Sequence, residues 1–286
     1  MSATAISGNS EKAPRPLVSV ITVCLNAAAF IEQTINSVLG QTYPHLEYLI
    51  LDGGSTDGKV EIIRGCEPRL AYWHSKLDRG QAHALNLGLA HARGEWLLYL
   101  NADDFFLGPE VVEKMAPHLL SHEDADVVFG QTVTVTREQD PQPAPMRKVL
   151  GHPWRWQEFR WQDTIPHPSV FTNRRFFDRV GGFDESYRIA MDYEIYLRGG
   201  KTLKVYYFPI PVTGMREGGV SRENVVNTFR EGRRALYANR ALPLWLCWAN
   251  FFWRLGYYFV GQMAHKVLDP LAPKIAWPGR NAGRVL

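Results

Sequence analysis

Apolar and polar positions along the first hundred residues fall into a strand–helix rhythm. Leu17-Val-Ser-Val-Ile-Thr-Val23 is a short β-branched run suited to a strand buried on both faces. Ala27 to Leu39 then sets Ile31, Ile35, Val38 and Leu39 on one helical face, and Tyr43-Pro44 ends that segment. Leu46 to Leu51 predicts a second buried strand, Lys59 to Arg64 a helix, and Leu70 to His74 a third strand. Gln81 to Ala92 predicts another helix and Glu95 to Leu100 a fourth strand. This alternation predicts an α/β fold, a mostly parallel twisted sheet flanked by helices. The middle is less regular. Asp126 to Thr136 reads as strand, Glu138 to Pro153 as a proline-rich connection, and Ala190 to Arg198 as a helix carrying Asp192 and Glu194.

Composition narrows the class. At 286 residues with 45% hydrophobic and 21% charged side chains, the chain can bury a full core and is neither disordered nor fibrous. Cys24, Cys66 and Cys247 have no paired spacing, so they form neither a disulfide framework nor a zinc site, and they fit a reducing compartment. Residues 1–15 are polar and small with no apolar core of signal-peptide length, which predicts a disordered lead-in and a cytoplasmic protein. The net charge of +3 is unevenly spread. From residue 228 onward nine Lys/Arg face only Glu231 and Asp269, a local +7, so residues 1–227 carry −4. A split of this kind points to an anionic partner for the tail rather than to nucleic acid spread over the fold.

In parallel α/β sheets ligands sit beyond the carboxyl ends of the strands. The polar clusters fall there: Asn26 after the first strand, Asp52-Gly-Gly-Ser-Thr-Asp57 after the second, Asp78-Arg79-Gly80 after the third and Asn101-Ala-Asp-Asp104 after the fourth. Four such ends suit a nucleotide pocket. Adjacent carboxylates at Asp103 and Asp104 repel each other and are best tolerated beside a positive charge. Hard divalent cations take one or two carboxylates together with diphosphate oxygens. The alternative is that Asp104 caps a helix running from Phe105 to Leu120. Neither GxxxxGK[ST] nor GxGxxG occurs, which argues against a P-loop ATPase or a dinucleotide dehydrogenase.

Val18-Ser-Val-Ile-Thr-Val-Cys-Leu-Asn26, Asp52-Gly-Gly-Ser-Thr-Asp57, Arg79-Gly-Gln-Ala-His-Ala-Leu-Asn-Leu-Gly88, Gly94-Glu95 and Asn101-Ala-Asp-Asp104 occur in an order that resembles family 2 glycosyltransferases. His167-Pro-Ser-Val-Phe171, Gly181-Gly-Phe-Asp184, Met191-Asp-Tyr-Glu-Ile-Tyr-Leu-Arg198 and Gly218-Gly-Val-Ser221 extend the resemblance over residues 17 to 221. It implies a GT-A fold and an inverting, metal-dependent transfer from a nucleoside diphosphate sugar, with a UDP-sugar favoured and Mn²⁺ or Mg²⁺ as the cation. Carried over by residue, Asn26, Asp52 and Asn86 would line the nucleoside side with Asp78, Arg79 and Gly80 nearby. Asp103 would face the ribose, Asp104 would ligate the metal, and Asp192 would be the catalytic base. Two positions depart from the pattern: Gly53 stands where a second Asp is common, and Met191 precedes Asp192 where a Glu is frequent. His167 reads as a contact to diphosphate or acceptor, or as a structural donor. Trp161, in a cluster with Trp154 and Trp156, reads as a sugar-stacking residue or as packing. Glu194 points about 200° from Asp192 on a helix and reads as structural.

The resulting organisation is a lead at 1–15, a GT-A domain at 16–225 with a donor half (16–105) and an acceptor half (106–225), and a basic, aromatic, helical extension at 226–286. Leu242 to Gly261 is the most apolar stretch, approaching the roughly 20 residues that span a bilayer, but Asn250 and Arg254 interrupt it. Its Trp and Tyr content and flanking cations favour an in-plane helix on the inner face of the cytoplasmic membrane, over 236–266. A soluble packing or homo-oligomer element and a true span are the alternatives. An interfacial position would suit a glycan acceptor carried on a polyprenyl lipid in surface polysaccharide synthesis. Rival functions are a nucleotidyltransferase making the activated sugar, and a nucleotide- or glycan-binding module without activity. Cys24-Leu-Asn-Ala-Ala-Ala29 lacks the glycine-rich basic loop that the first rival calls for.

Overall fold

The computed structural model describes residues 15–136 and 148–268. Nearly all of the polar lead, the greater part of the proline-rich connection and the basic residues Lys274, Arg280 and Arg284 lie outside the described residues.

The first half follows the rhythm of the sequence. β1 (Val18–Cys24), α1 (Ala28–Leu39), β2 (Leu46–Asp52), α2 (Lys59–Cys66), β3 (Tyr72–Ser75), α3 (Gln81–His91) and β4 (Trp96–Tyr99) succeed one another. β1 pairs in parallel with β2 and β4, and β2 with β3. All seven residues of β1 are buried because its two faces feed two cores. Ile21 and Val23 pack toward α3, and Val18 and Val20 toward Ile31, Ile35 and Val38 of α1. Gly88 has no room for a side chain: a Cβ there would come within 2.5 Å of Ile21 Cγ2, so α3 lies directly on the sheet.

The second half comprises β5 (Phe105–Phe106), α4 (Val111–Ser121), β6 (Val127–Val135), β7 (Lys148–Leu150), α5 (Trp156–Phe159), β8 (Val170–Asn173), α6 (Arg174–Val180), α7 (Met191–Gly199), β9 (Val205–Arg216), α8 (Val220–Glu223), α9 (Val225–Ala238) and α10 (Leu244–Leu268). The strand order is β3-β2-β1-β4-β8-β6-β9-β5, with β7 on β6. β8 runs antiparallel to β4 and β6, and β5 antiparallel to β9, whereas β9 is parallel to β6. The parallel character therefore belongs to residues 18–99, and the rest of the sheet is mixed.

Two local features depart from the sequence expectations, and a third lies in a stretch for which no element was predicted. Phe105-Phe106 is a strand paired with Gly214 and Thr213, and the helix begins only at Val111, so Asp104 caps nothing. Part of the proline-rich connection, β7, joins the sheet. β9 carries Pro209 and Pro211, residues that ordinarily demote a strand, and a register shift opposite Gln131 and Pro211 absorbs the missing donor.

The C-terminal helices share the core of the α/β fold. Ala235 and Leu236 of α9, Leu242, and Cys247 of α10 belong to the same cluster as Tyr193, Ile195 and Tyr196 of α7. Cys247, Asn250 and Phe251 form the inward face of α10 and are buried. Trp245, Trp248, Phe252, Trp253, Tyr257, Phe259, Val260 and Met263 are exposed. Among the described residues no helix is long and apolar enough to cross a membrane.

Candidate active site

A cleft of about 720 Å³ opens where β1 and β4 end and where α7 begins. At the β1 exit Asn26 adopts φ 49°, a left-handed conformation for which Asn is favoured. Its amide N donates to Ser55 Oγ at 2.8 Å, and its Oδ1 accepts from Thr56 N at 3.2 Å. Asp57 Oδ2 accepts from Ala28 N at 2.7 Å and so supplies the cap that α1 lacks in its own sequence. The loop after β2 is thereby tied to the start of α1, and Asn26, Asp57 and Phe30 face the cleft together.

Asp52 organises that loop from below. Its carboxylate accepts from Gly54 N, Ser55 N, Ser55 Oγ and Ser75 Oγ, and pairs with the fully buried Lys59 ammonium at 3.2 Å. Burial alone would raise its pKa. The hydrogen bonds from Ser55 and Ser75 and the Lys59 charge outweigh that and hold it down to about 2. Asp52 is 1% exposed and is not among the residues lining the cleft.

At the β4 exit Asp103 and Asp104 both line the cleft. Asp104 Oδ2 accepts from Asn101 Nδ2 at 3.1 Å, Oδ1 accepts from Arg216 N at 3.3 Å, and its carbonyl accepts from Thr34 Oγ1 at 2.7 Å. The Arg216 guanidinium donates to the Asp103 carbonyl and to Gln33, between the rings of Phe30 and Phe105. Burial, then the Asp103 charge, raises the Asp104 pKa well above the usual carboxylate range, against the pull of Asn101 and Arg216. The described residues offer no group of three or more His, Cys, Asp or Glu that could hold a metal by themselves. An adjacent carboxylate pair lining a cleft does fit a divalent cation whose remaining ligands are diphosphate oxygens and water.

The opposite wall is made by residues 163–193. Asp192, second residue of α7, lines the cleft with His167, Asp163 and Arg188. Its Oδ1 accepts from Tyr193 N at 2.8 Å, and its Oδ2 lies 3.9 Å from His167 Nδ1. His167 Nδ1 has no hydrogen-bond partner, and its ring stacks against Tyr99 at 6.1 Å. Burial lowers the His167 pKa, partly opposed by Asp192. Burial and the Asp192 charge push Asp163 up to about 8, against a hydrogen bond from Ile165 N and the charge of Arg254. The start of α7 has no side-chain cap of its own. Glu231 of α9 fills that place: its carboxylate accepts from Arg188 N, Ile189 N and Ala190 N at 2.8 to 3.1 Å. The base candidate is thus held by a residue from the C-terminal extension.

Of the positions singled out in the sequence, Asn26, Asp103, Asp104, His167 and Asp192 meet in this one cleft. The others frame it. Asp78 Oδ1 accepts from Gly80 N at 2.7 Å, and Oδ2 lies where a Cβ on Gly53 would approach to 2.6 Å. An Asp at position 53 would therefore displace Asp78. Arg79 pairs with Glu185 at 2.8 Å. Gly80 takes φ +121° and lies against the Arg188 guanidinium. Asn86 bonds both the N and O of Phe183, stapling α3 to the turn before α7. Trp161 packs on Trp253 at 6.2 Å and accepts from Asn250 Nδ2 at 2.6 Å, which makes it part of the α10 interface and removes it from the cleft wall. Glu194 makes a two-pronged pair with Arg198 and a bond to Asn239, the structural role its helical position implied. Sequence reading placed Asp57 in the polar cluster after the second strand without giving it a role of its own, and it missed Asp163, Arg188, Glu231 and Arg254. Glu231 and Arg254 carried a signal, one as an acid in a basic tail and the other as a charge interrupting an apolar run.

The profile of Glycosyl transferase family 2 matches residues 19–181. An uncharacterized glycosyltransferase of Mycobacterium tuberculosis is 35% identical over 188 residues, covering 64% of this chain and 68% of its own. A PGL/p-HBAD biosynthesis glycosyltransferase of the same species is 28% identical over 223 residues, covering 75% and 82%. Among solved structures, Staphylococcus aureus TarS 1–349 in complex with UDP matches with TM-score 0.63 and 17% identity, over 91% of this chain and 76% of that one. Against a longer TarS chain the match spans 39% of its length. The Pyrobaculum calidifontis mannosyltransferase PcManGT, in complex with GDP-Man and Mn²⁺, matches with TM-score 0.59 and 19% identity, over 91% and 81%. A GT-A fold whose strand exits and α7 share one cleft, together with a family match over more than half its length, places this chain in glycosyl transferase family 2.

Proposed function

We propose that this glycosyltransferase moves a sugar, with inversion, from a nucleoside diphosphate sugar to a hydroxyl of a glycan acceptor carried on a lipid, in the making of a surface polysaccharide or glycolipid. What supports the reading is the shared cleft: Asn26, Asp57, Asp103 and Asp104 face it from the donor half, Asp192 and His167 from the acceptor half. The acceptor hydroxyl attacks the anomeric carbon from the side opposite the nucleotide. The new C–O bond forms as the bond to the diphosphate breaks, and Asp192 takes the hydroxyl proton. Asp104, with Asp103 beside it, would hold a Mn²⁺ or Mg²⁺ ion, whose charge neutralises the departing diphosphate. Asn26 and the Asp52-anchored loop shape the nucleoside end, Asp78, Arg79, Gly80 and Asn86 hold its frame, and His167 orients Asp192 or contacts the acceptor. The donor is a UDP-sugar in this reading; the TarS and PcManGT structures hold UDP and GDP-Man respectively.

The exposed aromatic face of α10, flanked by Arg230, Arg233, Arg234 and Arg240, lies on an anionic membrane surface and brings the cleft to its acceptor. A thermal-shift panel of UDP-, GDP- and dTDP-sugars with and without Mn²⁺ tests the donor side, since a ligand that binds the native state raises the melting temperature by mass action. A metal-dependent shift with one nucleotide class is expected, and no shift with any of them would overturn the proposal.

A further inference from the structure

One wall of the cleft comes from neither strand ends nor α7. α9 and α10 contribute Thr228, Gly232 and Arg254 to the lining. Along α10 the inward positions are Cys247, Asn250 and Phe251, all sealed in the core, and Arg254 is the next on that face. Its guanidinium lies over the Phe229 ring at 4.6 Å, and a Cβ on Gly232 would meet Nη1 at 3.7 Å, so both neighbours leave the fork open toward the cleft. Among the described residues its N–H groups have no hydrogen-bond acceptor, and no carboxylate lies within ion-pairing distance. Arginine remains charged under these conditions, and a half-buried guanidinium without a counter-ion is costly.

The groups that act on it electrostatically are Tyr193 and Asp163, which stand on the Asp192 side of the cleft. Burial and the Asp192 charge raise the Asp163 pKa, which favours its neutral form, and no ion pair joins it to Arg254. At the β4 exit Asp104 already has the Arg216 charge acting on it and accepts from the Arg216 backbone N–H. A planar five-donor fork with open N–H groups suits a phosphate or carboxylate, which it can bind through two parallel hydrogen bonds. From these observations, and resting on the transferase reading above, we infer that Arg254 binds an oxyanion, phosphate or carboxylate, carried by the acceptor next to the hydroxyl that Asp192 deprotonates. The same helix turns its aromatic face outward, so the anion of a membrane-borne acceptor and the apolar surface meet on opposite sides of α10.

The test uses the full chain saturated with UDP or GDP and Mn²⁺. Binding of farnesyl phosphate, octyl β-glucuronide and neutral octyl β-glucoside is measured by titration calorimetry below their micelle concentrations. At least one anionic probe should bind wild type about tenfold or more tighter than the glucoside, the scale of a charge-assisted hydrogen-bond pair. Arg254→Gln should lose that margin, and Arg254→Lys should retain part of it. Nucleotide affinity stays unchanged in both variants and certifies their fold. Whichever anionic probe carries the margin identifies the source of the oxyanion. Equal binding of anionic and neutral probes to wild type, or an undiminished margin in Arg254→Gln, overturns the inference. Absence of nucleotide binding in wild type would strike the transferase reading instead, and is read in a separate titration.

Discussion

Asp52 and Lys59 form a pair with no exposure to solvent, 3.2 Å apart and outside hydrogen-bond alignment, directly beneath the loop after β2. Folding lowers the Asp52 pKa from 3.8 to about 2, so its contribution to stability is full above pH ~4 and is lost as pH falls through about 2. A shift of this size is worth about 2 kcal/mol. Asp52→Asn strands the Lys59 charge and should cost about 3–5 kcal/mol at pH 7, while flattening the acid limb between pH 4 and 2. Urea midpoints at pH 7, 4 and 2.5 measure both effects. Asp192→Asn should slow transfer by about 10²–10⁴-fold with nucleotide affinity retained, and near-normal turnover would remove it as the base. Asp104→Asn should abolish the Mn²⁺-dependent part of the nucleotide-induced thermal shift, and an unchanged metal response would exclude its role as a ligand. At this scale the sequence was informative about residue type and position along a strand. It did not say which carboxylate faces the cleft: Asp52 and Asp104 each follow an apolar strand, yet hydrogen bonds from Ser55 and Ser75 turn one into an anchor.

Elements join these residues into a working wall. α7 presents Asp192 at its N-terminal turn, and Glu231 on α9 ties down the three amides that precede it. Glu231→Ala should leave those amides unpaired, cost about 1–3 kcal/mol in stability, and lower kcat for transfer more than it changes the KM for donor. Glu231→Gln, which keeps one acceptor oxygen, should recover part of both. If the two variants raise donor KM and spare kcat, Glu231 serves the donor side instead. Helix and strand identities in residues 18–99 were readable because apolar spacing and strand-end polarity agree there. β9 was not, since Pro209 and Pro211 mask a strand whose register shift only the pairing with β6 reveals. β5 escaped for another reason: two residues carry no period, and Phe105-Phe106 becomes a strand only because Thr213 and Gly214 lie opposite.

For the molecule as a whole, the tail is the instructive part. The sequence marks 226–286 as an extension, yet α9 and α10 complete the core around α7 and close the cleft with Gly232 and Arg254. A chain ending near residue 227 would therefore lose core and site together, so membrane binding is tested in the full chain with Trp245→Ser, Phe252→Ser and Tyr257→Ser combined. All three side chains are exposed, and the variant should fold while floating much less with anionic liposomes than wild type, which itself should release partly at high salt. Equal flotation of the two would exclude this face as the membrane contact. Local pattern by itself determined the alternation of strands and helices in residues 18–99, the polar strand exits and the family motifs, because each depends on neighbours a few residues away. Only the tertiary structure decided that Asp52 and Asn86 brace the site, that Trp161 packs on α10, and that Glu231 and Arg254 belong to the cleft. The roles of Glu231, Trp161 and Asn86 depend on contacts across 41, 89 and 97 positions of chain, and those of Asp52 and Arg254 on which way a side chain turns from its element, and sequence spacing carries no record of either.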